Sequence, residues 1–298
     1  MLRHTSILLT ALLALALALP ACLTGSEVDE PGGVGDAAPG NFDRDVPPMT
    51  EGDWIKPDPD ITWQWQLGGD LNTSYDVDLY DIDLFDSTAA RIADLHDDGR
   101  IVLCYFSAGS REDWRPDASD YDADVIGKPL DDWPGERWVD IRSANVQRIL
   151  TARLDLAASK GCDGVEPDNV DAWDNDNTGL PITFDDQIAF NRWLANAAHE
   201  RGLTVALKNA SGQIDEVLDY FDLELNEECH ANHECVDYQP FLDAGKAVLN
   251  VEYTEADTHA AATRLAGDIC ASSNDDGYRT LILPLDLDDS FRVDCGDW

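Results

Sequence analysis

Residues 143–171 read SANVQRILTARLDLAASKGCDGVEPDNVD, and the two halves of this stretch have different periodicities. The first half begins with a serine, contains good helix formers and ends at Lys160–Gly161, which predicts a helix. Its apolar stripe consists of Val146, Ile149, Leu150 and Leu154. The second half, CDGVEPD at 162–168, is a short apolar run that ends in carboxylates. A helix that leads directly into a buried strand is a building unit of parallel α/β sheets.

Strand-like runs of the same kind recur along the chain, most of them separated by helix-like segments. The eight runs are VDLYDIDLF (77–85), RIVLCYFS (100–107), RWVDI (137–141), CDGVEPD (162–168), LTVALKN (203–209), FDLELNE (221–227), KAVLNVEY (246–253) and YRTLILPL (278–285). One intervening helix is expected from a capping-box pattern of Thr183 and Asp186 to Gly202. The pattern predicts an α/β fold, a (β/α)8 TIM barrel. The earlier run ITWQWQLGG (61–69) is either a further strand or a segment at the barrel mouth.

The start of the chain has the pattern of an export signal, with Arg3 before a short apolar run. Cys22 follows Leu-Pro-Ala as the acylated cysteine follows a bacterial lipobox, which predicts a lipoprotein signal at 1–21 and lipidation at Cys22. Ordinary secretion, with Cys22 incidental, is the alternative. Residues 22–50 are rich in Gly, Pro, Asp and Ala and predict a flexible linker. The barrel is expected at 51–298, in an exported protein that is a bacterial cell-surface lipoprotein or is secreted.

The chain is strongly acidic, with 60 acidic and 20 basic side chains and a formal net charge of −40. Removal of the signal takes away Arg3 and makes the net charge −41. Such a charge disfavours nucleic acid, phosphorylated ligands and anionic membrane surfaces, so a membrane contact is expected only through a lipid anchor. Composition alone fits either a solubility or salt adaptation or a polycationic substrate. The oligomeric state stays open, with a monomer as the expectation.

Six cysteines follow Cys22, and an even number in an exported chain suggests disulfides. The connectivity stays open. Cys229 with Cys235 is the best local pair, and Cys270 with Cys295 is the next. A zinc site is disfavoured because paired CxxC units are missing and the HANH stretch at 230–233 has no second cluster. No metal and no cofactor are therefore expected.

Polar side chains accumulate at the carboxyl ends of the expected strands, where barrel enzymes keep their chemistry. The candidates are Asp81, Asp83, Glu166, Asp168, Lys208, Glu227 and Glu252. Strand alternation places Glu166 and Asp168 on one side, and likewise Asp81 and Asp83. A single such carboxylate is as readily a helix cap or a surface group. Their repetition favours a site, and two carboxylates on different strands are what glycoside hydrolysis requires.

Aromatic side chains near the expected mouth are the second feature of a sugar site, because flat rings match pyranose faces and also meet cations. They are Trp63, Trp65, Tyr80, Tyr105, Trp114, Trp133, Trp173 and Tyr253. About half are expected to be core residues, as an ordinary prior. Trp63 and Trp65 share one face of a short extended stretch and are the better subsite candidates.

Several long blocks are similar to glycoside hydrolase family 114, the endo-α-1,4-polygalactosaminidases. The blocks are VDLYDIDLFD, CYFSAGSREDWRPD, IGKPLDDWPGERWVDIRS, RLDLAASKGCDGVEPDNVDAW, LKN at 207–209 and NEECHANHEC. They occur in the family's order over roughly residues 60–285, which makes chance a poor explanation. The resemblance implies a (β/α)8 barrel that acts on α-1,4-linked galactosamine polymers. A cationic aminosugar polysaccharide would also make the acidic charge intelligible.

The resemblance also implies the site residues. The VEPDN element falls on 165–169 and makes Asp168 a catalytic aspartate, with Asn169 beside it, and the NE-x-C element makes Glu227 the catalytic glutamate. If Leu223 and Leu225 face the helices, strict alternation would instead turn Glu224 inward. As a hypothesis, Asp168 is the nucleophile and Glu227 the acid/base.

The remaining candidates are inferred from position only. Substrate binding is expected from Glu166, Asn169, Asp81, Asp83, Tyr105, Lys208, Glu252 and Trp65. Two alternatives to the family's activity stay open. One is a surface-anchored, non-catalytic glycan-binding barrel, and the other is a glycosidase with a different galactose-type substrate.

Overall fold

Eight parallel strands follow one another in a curled sheet, as in a (β/α)8 TIM barrel. The computed structural model describes residues 38–175, 177–254 and 258–298. The strands are β1 (Trp63–Gln66), β2 (Leu79–Asp83), β3 (Ile101–Ser107), β4 (Ser110–Glu112), β5 (Ile126–Pro129), β6 (Glu136–Val139), β7 (Gly164–Asp168), β8 (Thr204–Lys208), β9 (Leu223–Glu227), β10 (Val248–Glu252), β11 (Arg279–Ile282) and β12 (Val293–Asp294). The large sheet has the order β1-β2-β3-β7-β8-β9-β10-β11-β12, in which only β12 is antiparallel. The Trp63 indole donates to the Arg279 carbonyl at 2.8 Å, which brings β1 against β11.

Helices separate most of the barrel strands and cover the outside of the sheet. They are α1 (Ala89–Asp97), α2 (Ala144–Lys160), α3 (Phe184–His199), α4 (Ile214–Val217), α5 (Cys229–Asn232), α6 (Gln239–Asp243) and α7 (His259–Asp276). Both helix starts and the end of α2 that the sequence predicts are confirmed, whereas α3 ends at His199, before the predicted stop at Gly202. Ser143 caps α2, which ends at Gly161 in the left-handed conformation, and Thr183 with Asp186 forms the capping box of α3.

Seven of the eight expected strand runs contain a barrel strand, and the eighth does not. The run at 137–141 falls in β6, which lies between β4 and β5 in a separate antiparallel sheet. This small sheet, which we call the insert, lies between β3 and α2 in the chain. The barrel strand that replaces it is β1, from the run at 61–69 whose role the sequence left open.

The two faces of the barrel sheet are both apolar, but they belong to different clusters. The barrel interior contains alternate residues of successive strands, among them Trp65, Leu79, Leu103, Leu225 and Val251. The residues between them pack with the helices in a larger outer cluster. Because alternation has a period of two, each interior position fixes which polar residues further along the strand also point inward. This alternation decides which of the carboxylates at the strand ends face the mouth.

The described part of the expected linker, residues 38–50, lies against the barrel. Phe42 makes an edge-to-face contact with Trp193 at 5.3 Å, and the Met49 amide donates to the Asn196 side chain at 2.9 Å. For these residues the structure differs from a flexible tether, because an aromatic contact and paired backbone groups hold them on α3. The signal, Cys22 and the rest of the linker lie outside the described residues, so their assignment stays a prediction.

Three disulfides hold the described chain: Cys104–Cys162, Cys229–Cys235 and Cys270–Cys295. The two pairs predicted from the sequence are confirmed. Cys229 and Cys235 also lie beside His230, but their sulfurs are bonded to each other and are not thiolate ligands for a metal. The three disulfides fit an extracellular enzyme. Among the described helices, none has the length and apolar composition of a membrane span.

Candidate active site

The site is centred on Lys208, at the carboxyl end of β8, whose ammonium meets three carboxylates. Its Nζ lies 3.1 Å from Glu166 Oε1, 3.1 Å from Asp168 Oδ1 and 3.3 Å from Glu227 Oε2. It also lies 4.9 Å above the Trp65 ring. Burial alone would lower the pKa of Lys208, but the three carboxylates outweigh it and raise the pKa well above its usual range. Lys208 is therefore a permanent cation between the two predicted catalytic groups.

Asp168 ends β7 and is held by donors on several sides. The Asn169 backbone amide donates to Oδ1 at 2.7 Å, and its side-chain amide donates to Oδ2 at 3.3 Å. The Tyr105 hydroxyl also donates to Oδ2, at 3.1 Å. Asn169 itself adopts the left-handed conformation at φ 60°, which asparagine tolerates better than most residues. The turn after β7 thus fixes the Asp168 carboxylate at the mouth of the barrel.

Glu227 ends β9 and points to the same mouth. Leu223 and Leu225 belong to the interior cluster, so alternation turns Glu227 inward with them. The sequence argument that these leucines face the helices is wrong, and it is Glu224 that lies on the other face. The Tyr253 hydroxyl donates to Glu227 Oε1 at 2.6 Å, and the Asn209 side chain donates to Oε2 at 3.3 Å. Family pattern and strand geometry therefore agree on Glu227.

A second layer of acid lies below the mouth, fully buried in the barrel. Burial raises the pKa of Asp81 to about 7 and that of Glu166 well above its usual range. The carboxyl oxygens of the two residues are buried and form no hydrogen bond with each other, so burial favours their neutral forms. Of these two, Glu166 also contacts the Lys208 ammonium. Asp81 and Glu166 therefore support the site from below and do not line it.

A cleft of about 410 Å³ opens above these groups. Its polar lining includes Asp131, Glu136, Asp168, Asn169, Asp171, Asn175, Lys208, Asn209, Glu227 and Asp286. Its apolar and aromatic lining includes Trp65, Leu67, Tyr105, Leu130, Trp133, Trp138, Tyr253, Leu285 and Leu287. A second cleft of about 340 Å³ shares Asp171, Asn209 and Glu227 with the first. The two clefts therefore adjoin at these three residues.

The structure brings four of the eight predicted substrate-binding side chains to this cleft, namely Trp65, Tyr105, Asn169 and Lys208, and two more, Asp81 and Glu166, lie buried beneath it. Two others are placed elsewhere. Asp83 pairs with the Arg115 guanidinium at 2.5 Å and accepts a hydrogen bond from the Phe85 amide. Asp83 and Arg115 do not line the cleft. Glu252 faces α5, where it accepts the His230 amide at 2.9 Å. The positions of Asp83 and Glu252 correct their assignment to substrate binding.

The eight candidate aromatic residues have different locations. Four of them, Trp65, Tyr105, Trp133 and Tyr253, line the cleft. Trp63 and Tyr80 are buried in the core and do not line this cleft. Trp114 is about half exposed on the insert, and Trp173 makes an edge-to-face contact with Phe184 at 4.9 Å.

Four carboxylates of the cleft were not among the sequence candidates, namely Asp131, Glu136, Asp171 and Asp286, and two of these have raised pKa values. Burial raises the pKa of Glu136 to about 7 and that of Asp171 to about 6. Glu136 lies on β6, and its position follows from the fold of the insert, which the sequence did not reveal. Asp171 follows the VEPDN element closely, and this proximity was the available signal.

A TIM-like barrel with two carboxylates at one lysine, in an open cleft lined by aromatic rings, has the arrangement of a glycoside hydrolase. The family model of glycoside hydrolase family GH114 matches residues 45–297. The chain belongs to this family, and it is a glycoside hydrolase.

Solved structures agree with this assignment. The crystal structure of Aspergillus fumigatus Ega3, in complex with galactosamine, is 43% identical over 83% of this chain and 99% of that chain, with a TM-score of 0.77. The glycoside hydrolase domain of PelA from Pseudomonas aeruginosa is 14% identical over 78% of this chain and 97% of that chain, with a TM-score of 0.62, and supports the fold alone. No curated protein sequence matches this chain.

Proposed function

We propose that this glycoside hydrolase cleaves α-1,4-linked galactosamine polymers from within the chain. The observation that carries the substrate is the 43% identity with Ega3, a protein whose crystal structure contains galactosamine. The chemistry of the cleft supports the same class of sugar. It combines several carboxylates with aromatic rings, and Lys208, the only lysine or arginine that lines it among the described residues, is already paired. Protonated aminosugars meet opposite charge and flat rings there.

The endo-acting mode is supported by the shape of the site. The two clefts meet at Glu227 and Asn209, so a polymer has room on both sides of the scissile bond. The net charge of −40 would attract a polycation over long range, and this attraction is screened by salt.

The separation of the two carboxylates bears on the stereochemical outcome of the reaction. Asp168 Oδ1 and Glu227 Oε2 contact the same ammonium at 3.1 and 3.3 Å, so these oxygens are less than about 6.5 Å apart. This favours retention, because inverting enzymes leave room for water with a separation of about 6.5–9.5 Å. We propose that Asp168 attacks the anomeric carbon and that Glu227 protonates the leaving oxygen. In the second step Glu227 removes a proton from the water that hydrolyses the glycosyl-enzyme.

The test compares the purified protein with its Asp168→Asn and Glu227→Gln variants on partly de-N-acetylated α-1,4-galactosamine polymer. We expect release of reducing ends by the parent alone, weaker at higher salt, with retained configuration in the first product seen by NMR. If all three proteins are folded but release no reducing ends, the proposed activity is wrong. A non-catalytic glycan-binding barrel is then the better explanation. Faster cleavage of a neutral galactan would instead support a glycosidase with another galactose-type substrate.

We propose further that the protein is exported, because the amino-terminal pattern predicts it and the disulfides require an oxidising compartment. Mass spectrometry of the amino-terminal peptide from the native host would distinguish acylation at Cys22 from ordinary secretion. An acylated Cys22 supports a cell-surface lipoprotein, and an unmodified mature chain supports secretion.

A further inference from the structure

Glu136 is a third carboxylate in the cleft, and it stands on the insert rather than on the barrel. It is 7% exposed, and among the described residues no lysine, arginine or histidine forms a salt bridge with it. Burial raises its pKa to about 7, and the nearby negative charges of Glu112 and Asp168 add to the shift. An unpaired, nearly buried carboxylate in a cleft is a position that a cationic ligand would stabilise.

A chain of hydrogen bonds connects Glu136 with Asp168. The Ser110 hydroxyl donates to Glu136 Oε2 at 2.7 Å, and the hydroxyls of Ser110 and Ser107 are 2.7 Å apart. The Asn169 side-chain amide donates to Ser107 Oγ at 3.0 Å and to Asp168 Oδ2 at 3.3 Å. An amide nitrogen only donates, so with Glu136 ionised the direction is fixed and Ser107 donates to Ser110. The Asn169 side-chain amide thus donates to Asp168 directly and is connected to Glu136 through the hydroxyls of Ser107 and Ser110.

The surroundings of Glu136 fit a sugar ring. The cleft wall near it contains Leu130, Asp131, Trp133 and Trp138. Trp138 is on β6 with Glu136, two residues away and therefore on the same side of the strand. A flat apolar surface beside a carboxylate matches a pyranose that carries a protonated amine.

We propose that Glu136 binds the protonated amine of a galactosamine unit in the cleft, and that this contact helps to position Asp168 through Ser110, Ser107 and Asn169. The proposal rests on the proposed function and names the residue that selects the free amine over its N-acetylated form. An acetamide has no charge to offer Glu136. Glu136 therefore makes the substrate contact, whereas Ser107 acts only as a positioning residue for Asp168.

The protonation of Glu136 gives a readout that does not depend on turnover. A bound ammonium stabilises the ionised carboxylate, so it lowers the pKa of Glu136. The other charged groups that act on Glu136 are Glu112 and Asp168, which raise its pKa, and Arg115, which lowers it. These three groups are present with and without ligand.

The first experiment follows the carboxyl carbons of 13C-labelled glutamate by NMR between pH 5 and 9, with the Glu136→Gln variant used for assignment. We expect the Glu136 titration to move to lower pH with galactosamine and to stay in place with N-acetylgalactosamine. An unchanged titration with galactosamine, or the same change with both sugars, would overturn the proposal.

The second experiment measures kcat and KM on fully deacetylated and on partly N-acetylated oligomers. Glu136→Gln should reduce kcat/KM on the deacetylated substrate by about tenfold or more, and less on the acetylated one. Asp132→Asn is the matched control, because it removes an exposed carboxylate from the turn just before β6. Ser107→Ala should lower kcat while KM stays unchanged. Equal kinetics for the Glu136 and Asp132 variants would contradict the proposal.

The two proposals fail in different ways. If the parent cleaves neither oligomer, the proposed function is wrong, and the NMR titration still decides whether Glu136 recognises an amine. If the parent cleaves the deacetylated oligomer and Glu136→Gln does so equally well, the proposed function stands and the role of Glu136 is wrong.

Discussion

Lys208 Nζ lies 3.1 Å from Glu166 Oε1, and this contact joins the buried acids of the barrel to the open cleft. The same ammonium contacts Asp168 and Glu227, and Asp81 is buried below the site. A single cation therefore contacts three carboxylates directly. Asp168 and Glu227, at the ends of β7 and β9, both depend on this one side chain.

Replacing Lys208 with methionine should cost both activity and stability. The change leaves Glu166, Asp168 and Glu227 without their shared cation, and an uncompensated buried charge costs about 3–5 kcal/mol. Urea unfolding should show the larger loss at pH 8 and a smaller loss at pH 5, where the buried acids take up protons. Turnover of galactosamine polymer should fall below detection at both pH values.

Lys246→Met provides the matched control. Lys246 is also a partly buried lysine, but it donates to the Leu218 and Phe221 carbonyls and does not line the cleft. The Lys246→Met variant should be less stable than the parent, but this loss of stability should not depend steeply on pH. The variant should keep its activity. Equal pH dependence in the two variants would show that Lys208 does not compensate the buried acids.

The barrel was predictable from the sequence because its strands and helices have local signals. Which face of the sheet each strand residue occupies was not predictable. Leu223 and Leu225 are apolar, as residues on both faces of a barrel strand are, so the pattern cannot say which face they occupy. For this reason strand alternation alone favours Glu224 if the leucines are assigned to the outer face, whereas the family pattern favours Glu227. The strand at 137–141 was also recognised locally, but its place in the insert depends on pairing with β4 and β5.

The sequence predicted the candidate site as a set of residues at strand ends. The wrong assignments concern side chains whose ion-pair or hydrogen-bond partners are distant in sequence. Asp83 does lie at the end of β2, but Arg115 reaches it from the segment after β4. Glu252 alternates away from the interior residue Val251 and meets α5 instead. Glu136 could not be found, because only the folded insert carries it to the cleft.

Arg115→Met should destabilise the protein without a direct effect on substrate binding. Arg115 and Asp83 are both nearly buried and paired at 2.5 Å, and Arg115 also pairs with Glu112 at 2.8 Å. Its loss leaves the buried Asp83 without an ion-pair partner and leaves Glu112 only Arg153, at 4.0 Å. Removing one partner of such a buried pair costs about 3–5 kcal/mol in the free energy of unfolding. Denaturant unfolding measures this loss, and KM measured on the folded fraction should stay near the parent value.

The control for Arg115 is Arg201→Met, which breaks an ion pair with the largely exposed Asp155. Surface pairs contribute about 0–1 kcal/mol, so this variant should be close to the parent. A large increase in KM for Arg115→Met would indicate that Asp83 does contribute to substrate binding.

The stability of the parent should fall as the pH rises from about 4 to about 7, and Asp81 should contribute to this fall. Burial raises the pKa of Asp81 from 3.8 to about 7, so between these values the folded state holds a proton that the unfolded state has released. The stabilisation is complete below pH 3.8 and is lost as the pH passes 7. In Asp81→Asn the melting temperature should depend less on pH in this window, as measured by thermal unfolding.

Asp78→Asn is the control with the opposite sign. Hydrogen bonds from Thr62 lower the pKa of Asp78, so its carboxylate stabilises the fold above pH 3.8 and loses that effect on acidification. The Asp78 variant should therefore keep the parent's slope between pH 4 and 7. If Asp81→Asn also keeps that slope, burial does not raise the pKa of Asp81 in the folded protein.

Trp133→Ala should weaken the binding of polymer while the chemical step stays intact. Trp133 lines the cleft from the insert and is 49% exposed, so its ring is available to stack on a sugar. Loss of one stacking ring should raise KM for the polymer by about fivefold to tenfold, with kcat nearly unchanged. Trp298→Ala is the control, because Trp298 is 56% exposed and does not line the cleft. A fall in kcat with unchanged KM would mean that Trp133 shapes the catalytic groups instead of holding the sugar.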